Sequence, residues 1–212
     1  MAQKKVNAVI HSQEKLAEGI YSMWLDAPEM AKAAVPGQFI AVYTNDQSKL
    51  LPRPISICEA DKENGRLRIV YRIAGAGTKE FSAYKEGDTL DIMGPLGNGF
   101  PLKKKKAFLI GGGIGIPPML ELAKNLDCEK TAVIGYRDKE TFLADELRKY
   151  ADVVIATEDG SVGTKGNVID AIRAEKLTAD IIYACGPTPM LKALKAYAME
   201  NGIECYISLE EK

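Results

Sequence analysis

The sequence predicts two domains: an N-terminal antiparallel β-barrel at residues 1–101, then an α/β domain with a parallel sheet at residues 102–212. Three observations predict this architecture. Short strands separated by turn signals fill the first half, as in small closed barrels. After Ala107 strands and helices alternate, as they do around a parallel sheet. Between the two patterns, a stretch rich in glycine and proline at 94–101 and a run of four lysines mark the joint, which we interpret as a solvated linker in preference to an anion-binding patch.

The composition narrows the class of protein. The 212 residues are 46% hydrophobic and 27% charged, which is typical of a globular protein, and a net charge of -1 gives no support for nucleic-acid binding. No apolar run reaches the ~20 residues of a membrane span, and the N-terminus lacks the apolar core of a signal peptide. The four cysteines are scattered, so we expect neither a disulfide framework nor a metal site. A reduced, cytoplasmic setting is the simplest interpretation.

The clearest strand of the predicted barrel lies at 66–73, where apolar and basic residues alternate with a period of two. One face carries Leu67, Ile69, Tyr71 and Ile73, and the other carries Arg66, Arg68 and Arg72. Asn64-Gly65 just before this strand predicts a hairpin, because both residues tolerate the left-handed conformations of tight turns. Further strands are predicted at 6–10, 19–26 and 38–43.

A candidate anion site in the barrel is Arg53-Pro54-Ile55-Ser56. Prolines on both sides of Arg53 restrict the backbone, so the guanidinium is presented in a limited set of directions. An arginine held in this way can bind a phosphate through two parallel hydrogen bonds, and the Ser56 hydroxyl can donate or accept. The alternative is a proline-rich loop with a surface arginine.

A second candidate follows the strand at 66–73. Two glycines turn the chain, and Thr78 is predicted to cap a short helix that runs to about Tyr84. The N-terminus of a helix favours an anion, although a capped helix without a ligand is an equal alternative. Together with Arg53 and Arg72, the Gly77-Thr78 turn would offer one barrel both side-chain and backbone donors for a pyrophosphate. This combination indicates a dinucleotide cofactor.

The second half predicts a parallel sheet with helices on its faces. The predicted strands are 107–110, 131–136, 153–157, 181–185 and 204–208. The predicted helices are 118–126, 140–150, 167–175 and 189–201. Ligands of such sheets bind beyond the carboxyl ends of the strands, near the switch in strand order.

Two turns at these strand ends are candidate nucleotide contacts. A glycine run, Gly111–Gly115, follows the first strand and leads into prolines that begin a helix, an arrangement that suits a phosphate. The run does not fit the dinucleotide-binding motif G-x-G-x-x-G, because Ile116 stands where the last glycine should be. The alternative interpretation of the run is a tight turn that binds no ligand. Cys185-Gly186-Pro187 follows the fourth strand, where Cys185 could instead be a small buried hydrophobe.

Two carboxylates follow the third strand of this domain. Glu158 and Asp159 could bond the hydroxyls of an adenosine ribose and would repel a 2′-phosphate. They favour NAD over NADP.

In their order along the chain, these motifs resemble the ferredoxin–NADP reductase superfamily. The motifs are Arg53–Ser56, Val70–Arg72, Gly77-Thr78, Gly94–Gly97, Gly111–Gly115 and Cys185–Pro187. Within that superfamily, the Arg53–Ser56 box and the Gly94–Phe100 turn look most like the electron-transfer subunits of dihydroorotate dehydrogenase B. The resemblance covers nearly the whole chain.

The resemblance implies that the barrel binds FAD and that the α/β domain binds NADH. The implied FAD contacts are Arg53, Pro54, Ile55, Ser56, Val70, Tyr71, Arg72, Gly77 and Thr78. The implied NADH contacts are Gly112, Gly113, Gly115, Asp159, Cys185, Gly186 and Pro187. The two positions expected nearest the reacting atoms are Ser56, beside the flavin N5, and Cys185, beside the nicotinamide.

The function implied is that of a flavin-dependent NADH oxidoreductase, an electron-transfer subunit. Its expected partner is the catalytic, FMN-containing dihydroorotate dehydrogenase subunit of pyrimidine biosynthesis. Two alternatives remain open: the small subunit of an NADH-dependent ferredoxin or sulfide reductase, and a nucleotide-binding regulatory subunit without turnover.

The chain departs from the family pattern in two places. Many members have tyrosine where this chain has Ile55, so an aromatic ring against the flavin must come from elsewhere or be absent. The dihydroorotate subunits also carry a C-terminal [2Fe–2S] cluster, which needs four grouped ligands. The four cysteines here are too dispersed to hold it, so we expect this chain to lack the cluster, whether that segment was removed or never present.

Overall fold

The computed structural model describes residues 5–46 and 51–208. The chain divides into two compact units, residues 1–99 and 100–212. Each unit has its own hydrophobic core.

The first unit is a barrel of antiparallel strands. Its strands are β1 (Lys5–Ala17), β2 (Ile20–Asp26), β3 (Phe39–Val42), β4 (Arg53–Asp61), β5 (Arg66–Arg72) and β6 (Thr89–Leu96). They close in the order β1-β2-β5-β4-β3-β6, which leaves no unpaired sheet edge. Two short helices accompany them, α1 (Pro28–Ala33) and α2 (Ala76–Phe81). The predicted barrel is confirmed, but α1 was not predicted.

The alternation predicted for β5 is confirmed. The side chains on its inner face lie in the barrel core, namely Leu67, Ile69 and Tyr71. On the outer face Arg68 is nevertheless only 4% exposed. Its Nε donates to the Ser22 hydroxyl at 2.9 Å, and its terminal nitrogens lie 3.7 and 3.6 Å from carboxylate oxygens of Glu14 and Glu59. A buried charge needs polar or charged partners. Arg68 and its three partners lie on four neighbouring strands of the barrel, β5, β2, β1 and β4, and so connect them.

Two glycines allow close approaches within the barrel. Gly65 has φ +68 in the hairpin between β4 and β5, as predicted, and Asp61 Oδ1 accepts the N–H of Asn64 there at 3.0 Å. At Gly94, a Cβ would lie 2.7 Å from Ile40 Cγ2. A side chain at this position would therefore push β6 away from β3. The first residues of the glycine- and proline-rich stretch thus belong to β6, and not to the joint where the sequence placed them.

The second unit is a parallel sheet with helices. Its strands are β7 (Ala107–Gly112), β8 (Lys130–Tyr136), β9 (Asp152–Thr157), β10 (Thr164–Lys165), β11 (Ile181–Cys185) and β12 (Glu204–Ser208). Its α-helices are α3 (Pro117–Asn125), α4 (Ala144–Leu147), α5 (Val168–Ala174) and α6 (Thr188–Asn201), and Gly113–Gly115 forms a 3-10 turn. The strand order is β10-β9-β8-β7-β11-β12, with every pair parallel. The predicted parallel sheet is confirmed, with the short β10 added.

The helix predicted at 140–150 is much shorter than expected. Leu143, just before α4, has φ 64, a left-handed conformation that cannot continue a helix toward the N-terminus. The preceding Phe142 is held by Tyr136, whose hydroxyl donates to the Phe142 carbonyl at 2.6 Å and whose ring packs edge-on against that residue. Tertiary contacts therefore override the local helical pattern.

The run of four lysines carries ion pairs instead of a free positive charge. Each lysine has an acidic partner in the same unit: Lys103 and Lys105 with Glu204, Lys104 with Asp127, and Lys106 with Glu129. An anion-binding patch is therefore not supported. Among the residues described, no helix is long and apolar enough to cross a bilayer.

Candidate functional site

Arg53, at the start of β4, lies against the first turn of α2. A Cβ on Gly77 would lie 2.7 Å from Arg53 Nε and 3.1 Å from its Cζ. The Arg53 Nη1 also donates to the carbonyl of Leu51. The guanidinium can rest on the helix only because Gly77 has no side chain. The structure thus brings together two residues that the sequence predicted as partners.

Thr78 takes part in capping α2, but from inside the helix. Gly75 is the N-cap residue, and Thr78 is the third residue of the helix. Its hydroxyl accepts the N–H groups of Ala74 at 2.9 Å and Gly75 at 3.2 Å. The helix ends at Phe81, not near Tyr84 as predicted. Because the hydroxyl is engaged, the donors that this turn can offer a ligand are the N–H groups of residues 76–78.

The donors at this end of the barrel suit a pyrophosphate. The Arg53 guanidinium and the first-turn N–H groups of α2 lie side by side, and Arg72 is exposed at the end of β5. Guanidinium and backbone N–H groups are the usual partners of phosphate oxygens. The residues present therefore fit the phosphates of a dinucleotide such as FAD.

The other predicted FAD contacts differ in exposure. Pro54 is exposed and Ser56 is half-buried, paired with Phe39 of β3. Three predicted contacts are buried in the barrel wall or core: Ile55 at 8%, Val70 at 2% and Tyr71 at 2% exposure. Any contact of Val70 or Tyr71 with a cofactor therefore runs through the backbone, and Tyr71 offers no ring to the surface.

Tyr71 is instead the centre of an aromatic cluster. Its ring stacks on Tyr21 at 5.9 Å and meets Phe81 edge-on at 5.9 Å. Its hydroxyl donates to Gln13 Oε1 at 2.8 Å. Burial raises the pKa of Tyr71, so the hydroxyl keeps its proton and remains a donor.

The second candidate site lies at the switch in strand order. β8, β9 and β10 extend to one side of β7, whereas β11 and β12 lie on the other side. The carboxyl ends of the neighbouring strands β7 and β11 carry the glycine turn and the Cys185-Gly186 turn, and Gly111 pairs with Cys185. This is the position where open α/β sheets bind ligands, as the sequence predicted.

Two of the predicted nucleotide glycines lie in close contact with other parts of the protein. A Cβ on Gly115 would lie 2.2 Å from the carbonyl oxygen of Cys185. A Cβ on Gly112 would lie 2.6 Å from Met190 Sδ and 3.0 Å from Pro187 Cδ. These glycines let the two turns approach each other closely.

Gly113 has a different environment. It has φ +53, and a Cβ there would meet nothing within 4 Å among the residues described. The nearby Gly186, with φ +155, lies so close to Gly112 that a Cβ on it would be 3.1 Å from the Gly112 nitrogen. Of the four glycines predicted to contact the nucleotide, Gly113 is therefore the one with open space beside it.

Asp159 lies at the same carboxyl edge of the sheet, after β9. Its Oδ1 accepts the N–H of Ser161 at 2.9 Å, and hydrogen bonds with Ser161 lower the pKa of Asp159. The carboxylate therefore stays charged and also stabilises its own loop. The adjacent Glu158 donates its N–H to the Tyr136 carbonyl at 3.1 Å.

Two residues near these sites were not predicted, Gln13 beside α2 and Met190 beside Gly112 and Gly186. Neither stands in a local motif, so the sequence carried no signal for them. In the described part of the chain, no group of His, Cys, Asp or Glu is arranged to hold a metal ion.

Comparisons with known proteins find similarity along the whole chain. Residues 7–100 match the oxidoreductase FAD-binding domain family. The chain is 41% identical over 221 residues to the dihydroorotate dehydrogenase B (NAD(+)) electron transfer subunit of Geobacillus sp. (strain WCH70), covering 100% of this chain and 84% of that protein. It is 44% identical over 217 residues to the protein of the same name from Streptococcus mutans serotype c, covering 98% and 83%.

The fold is also similar to that of a solved structure, an NADH-dependent reduced ferredoxin-NADP oxidoreductase described for flavin-based electron bifurcation. The TM-score is 0.89 at 32% identity, and the match covers 100% of this chain and 79% of that one. These similarities confirm the resemblance identified from the motifs.

Proposed function

The chain belongs to the family of dihydroorotate dehydrogenase B electron transfer subunits, and we propose that it is an FAD-dependent NADH oxidoreductase that passes electrons to a partner. The partner we propose is the catalytic dihydroorotate dehydrogenase subunit of pyrimidine biosynthesis. The observation that carries the proposal is the guanidinium of Arg53 lying against Gly77, within a barrel that matches an FAD-binding family over residues 7–100.

In the barrel, the residues proposed to hold FAD divide into two groups. Arg53 and the N–H groups of Gly77 and Thr78 would bind its phosphates, and the exposed Arg72 would add a positive charge nearby. Ser56, half-buried on β4, would offer its hydroxyl to the flavin ring. When bound, FAD supplies the chemistry, accepting a hydride from NADH and releasing electrons singly.

In the α/β unit, the residues proposed to bind NADH lie at the carboxyl edge of the sheet. Gly113 leaves room for the pyrophosphate, and the turn from Cys185 to Pro187 would line the nicotinamide end. Asp159 and its neighbour Glu158 would face the adenosine ribose and disfavour a 2′-phosphate. No side chain has to move a proton for hydride transfer, so the site needs no general base.

A second candidate function is that of a subunit of an NADH-dependent ferredoxin reductase. The similarity to the reduced ferredoxin-NADP oxidoreductase, at 32% identity and TM-score 0.89, favours it. The two functions share the cofactors and differ in the electron acceptor. In both we place the reaction in the cytoplasm, because all four cysteines carry thiols and none forms a disulfide.

Two measurements test the proposal: the flavin absorbance of the purified chain, and the identity of the protein to which it passes electrons. We expect the purified chain to be yellow, or to become yellow with FAD, and to lose its flavin absorbance anaerobically on addition of NADH but much more slowly with NADPH. Mixed with a catalytic dihydroorotate dehydrogenase subunit, it should support NAD reduction by dihydroorotate. A colourless chain that cannot be reconstituted with FAD would be a nucleotide-binding regulatory subunit instead. Transfer to ferredoxin but not to the dehydrogenase would establish the second candidate.

A further inference from the structure

Gln13 joins a barrel strand to the C-terminal end of α2. Its side-chain Nε2 donates to the carbonyl oxygens of Phe81 at 3.1 Å and Tyr84 at 2.8 Å. These carbonyls belong to the end of the helix and to the turn that follows it, where a helix has no internal donors of its own. The Phe81 carbonyl also accepts the N–H of Tyr84 in that turn at 3.1 Å. The Gln13 side chain on β1 thus donates to two carbonyl groups that lie 68 and 71 residues further along the chain.

The orientation of this amide is fixed by Tyr71. The Tyr71 hydroxyl donates to Gln13 Oε1 at 2.8 Å, so the oxygen end of the amide faces β5 and the nitrogen end faces α2. Tyr71 is itself held between Tyr21 and Phe81, and Phe81 is fully buried. Both donors of the Gln13 amide and one lone pair of its oxygen are therefore engaged.

The position of α2 is one of the constraints on where the Arg53 guanidinium lies. The helix has only six residues, so its two ends cannot move independently. Gly77, near its start, is the surface on which the Arg53 guanidinium rests, with 2.7 Å between a Cβ built on Gly77 and Arg53 Nε. Glu80 joins the same helix to the loop after β3 by accepting the N–H of Asn45 at 2.8 Å, whereas Gln13 joins it to a strand of the barrel wall.

We propose that Gln13 is a positioning residue for cofactor binding: it holds α2 at the distance from the barrel wall that places Arg53 for the phosphates of FAD. The inference rests on the proposed function, because it concerns the same FAD site. Gln13 itself need not touch the cofactor.

The test compares ligands with and without phosphate. The flavin-free full-length chain and its Gln13→Leu and Gln13→Glu variants are titrated with FAD and with riboflavin, which lacks both phosphates. Gln13→Glu keeps the size of the side chain and its bond to Tyr71 but replaces the two donors, so it remains informative if Gln13→Leu folds poorly. We expect about tenfold weaker FAD binding in both variants, as for the loss of one or two hydrogen bonds, with riboflavin affinity unchanged.

A matched control is Gln38→Leu. Gln38 is also half-buried in the barrel and also bonds backbone groups, donating to the Gly97 carbonyl at 2.8 Å and accepting the N–H of Val35 at 3.0 Å, but it does not bond α2. We expect its ratio of FAD to riboflavin affinity to equal that of the parent. Unchanged FAD affinity in the Gln13 variants, or an equal loss for FAD and riboflavin, would overturn the inference alone. A parent chain that binds no FAD would overturn the proposed function and this inference with it.

Discussion

Arg53 can lie against α2 because its neighbour there, Gly77, has no side chain. The Cβ that any other residue would carry falls 2.7 Å from Arg53 Nε. Proline residues before and after Arg53 limit its backbone, and the Leu51 carbonyl accepts from its Nη1. Two constraints from residues next to Arg53 and one from the distant Gly77 therefore hold the same guanidinium.

We expect Arg53→Ala to weaken FAD binding about 10–150-fold, the loss of one charge-assisted hydrogen bond of ~1.5–3 kcal/mol. Quenching of FAD fluorescence on titration of the flavin-free protein measures this affinity. A variant that bound FAD as tightly as the parent would show that Arg53 does not contact the phosphates.

Gly77→Ala separates cofactor binding from helix stability. Alanine stabilises a helix by about 1 kcal/mol relative to glycine, so α2 itself should not weaken. Its Cβ would displace the flexible end of Arg53, and we expect FAD affinity to fall several-fold while the unfolding midpoint stays the same or rises. Gly75→Ala is the control, because Gly75 has an extended backbone and a Cβ there meets nothing within 4 Å of the described residues. Equal FAD affinities in the two variants would contradict the role of Gly77.

Among the elements, the two turns at the carboxyl ends of β7 and β11 depend on each other. Gly115 lies so close to the Cys185 carbonyl that a Cβ would be 2.2 Å from its oxygen. The obstacle is backbone in a packed sheet, which cannot move aside as a side chain can. The glycine run therefore has a packing role, which is to let the Cys185 turn approach it closely.

Gly115→Ala should destabilise the α/β unit by ~1–3 kcal/mol, as overpacking does, and should slow flavin reduction by NADH while FAD binding is retained. The comparison is Gly113→Ala, where a Cβ has open space and the left-handed backbone alone costs ~1–2 kcal/mol. Urea unfolding followed by circular dichroism gives both free energies. A cost for Gly115→Ala below ~1 kcal/mol would mean that the turn relaxes and that the close approach is not required.

The elements that could be predicted from the sequence are those marked by local signals. The alternation in β5 is a pattern of neighbouring residues, and so are the glycine and proline residues that flank the strands of the parallel sheet. The sequence therefore predicted these strands with nearly the observed bounds. α1 was missed because its N-cap, Ala27, offers no side-chain bond. The length of α4 depends on the left-handed Leu143, which the sequence does not indicate.

In the candidate site, too, only the residues that stand in local motifs could be predicted from the sequence. Arg53 and Gly77 stand in recognisable motifs, so both were predicted for one pyrophosphate site, but their direct contact was not predicted. The bonds of Gln13 join residues 68 and 71 positions apart and arise only when the barrel closes. A sequence also cannot distinguish a glycine with open space beside it, such as Gly113, from one that makes room for a neighbouring turn, such as Gly115.

At the scale of the whole molecule, the segment after the barrel is an ordered part of the α/β unit. Phe100 packs edge-on against Tyr183 at 5.5 Å. The Tyr183 hydroxyl donates to the Pro101 carbonyl at 2.7 Å and accepts the N–H of Lys103 at 3.2 Å. Lys103 and Lys105 then pair with Glu204 at the start of β12. A stretch predicted as a solvated linker is thus attached to the sheet at several points.

This attachment should depend on pH through Glu204. Hydrogen bonds from Lys103, Tyr206 and Lys105 lower the pKa of Glu204 to about 2 from an ordinary value of 4.5. A carboxyl group whose pKa is lowered in the folded state contributes stability above its unfolded pKa and loses that contribution as the pH falls toward its folded pKa. We therefore expect the stability advantage of the parent over Glu204→Gln to be complete above ~pH 5 and to shrink steadily below ~pH 4.5.

Urea unfolding at a series of pH values, from ~7 down to ~3, measures the difference between the two proteins. Asp127→Asn is the matched control: its pair with Lys104 also joins the lysine run to the α/β unit, but both side chains are highly exposed, at 87% and 82%. Pairs of that kind contribute ~0–1 kcal/mol, so we expect little change from Asp127→Asn at any pH. A difference between the parent and Glu204→Gln that stayed constant from neutral to acidic pH would show that the carboxylate charge does not hold the segment.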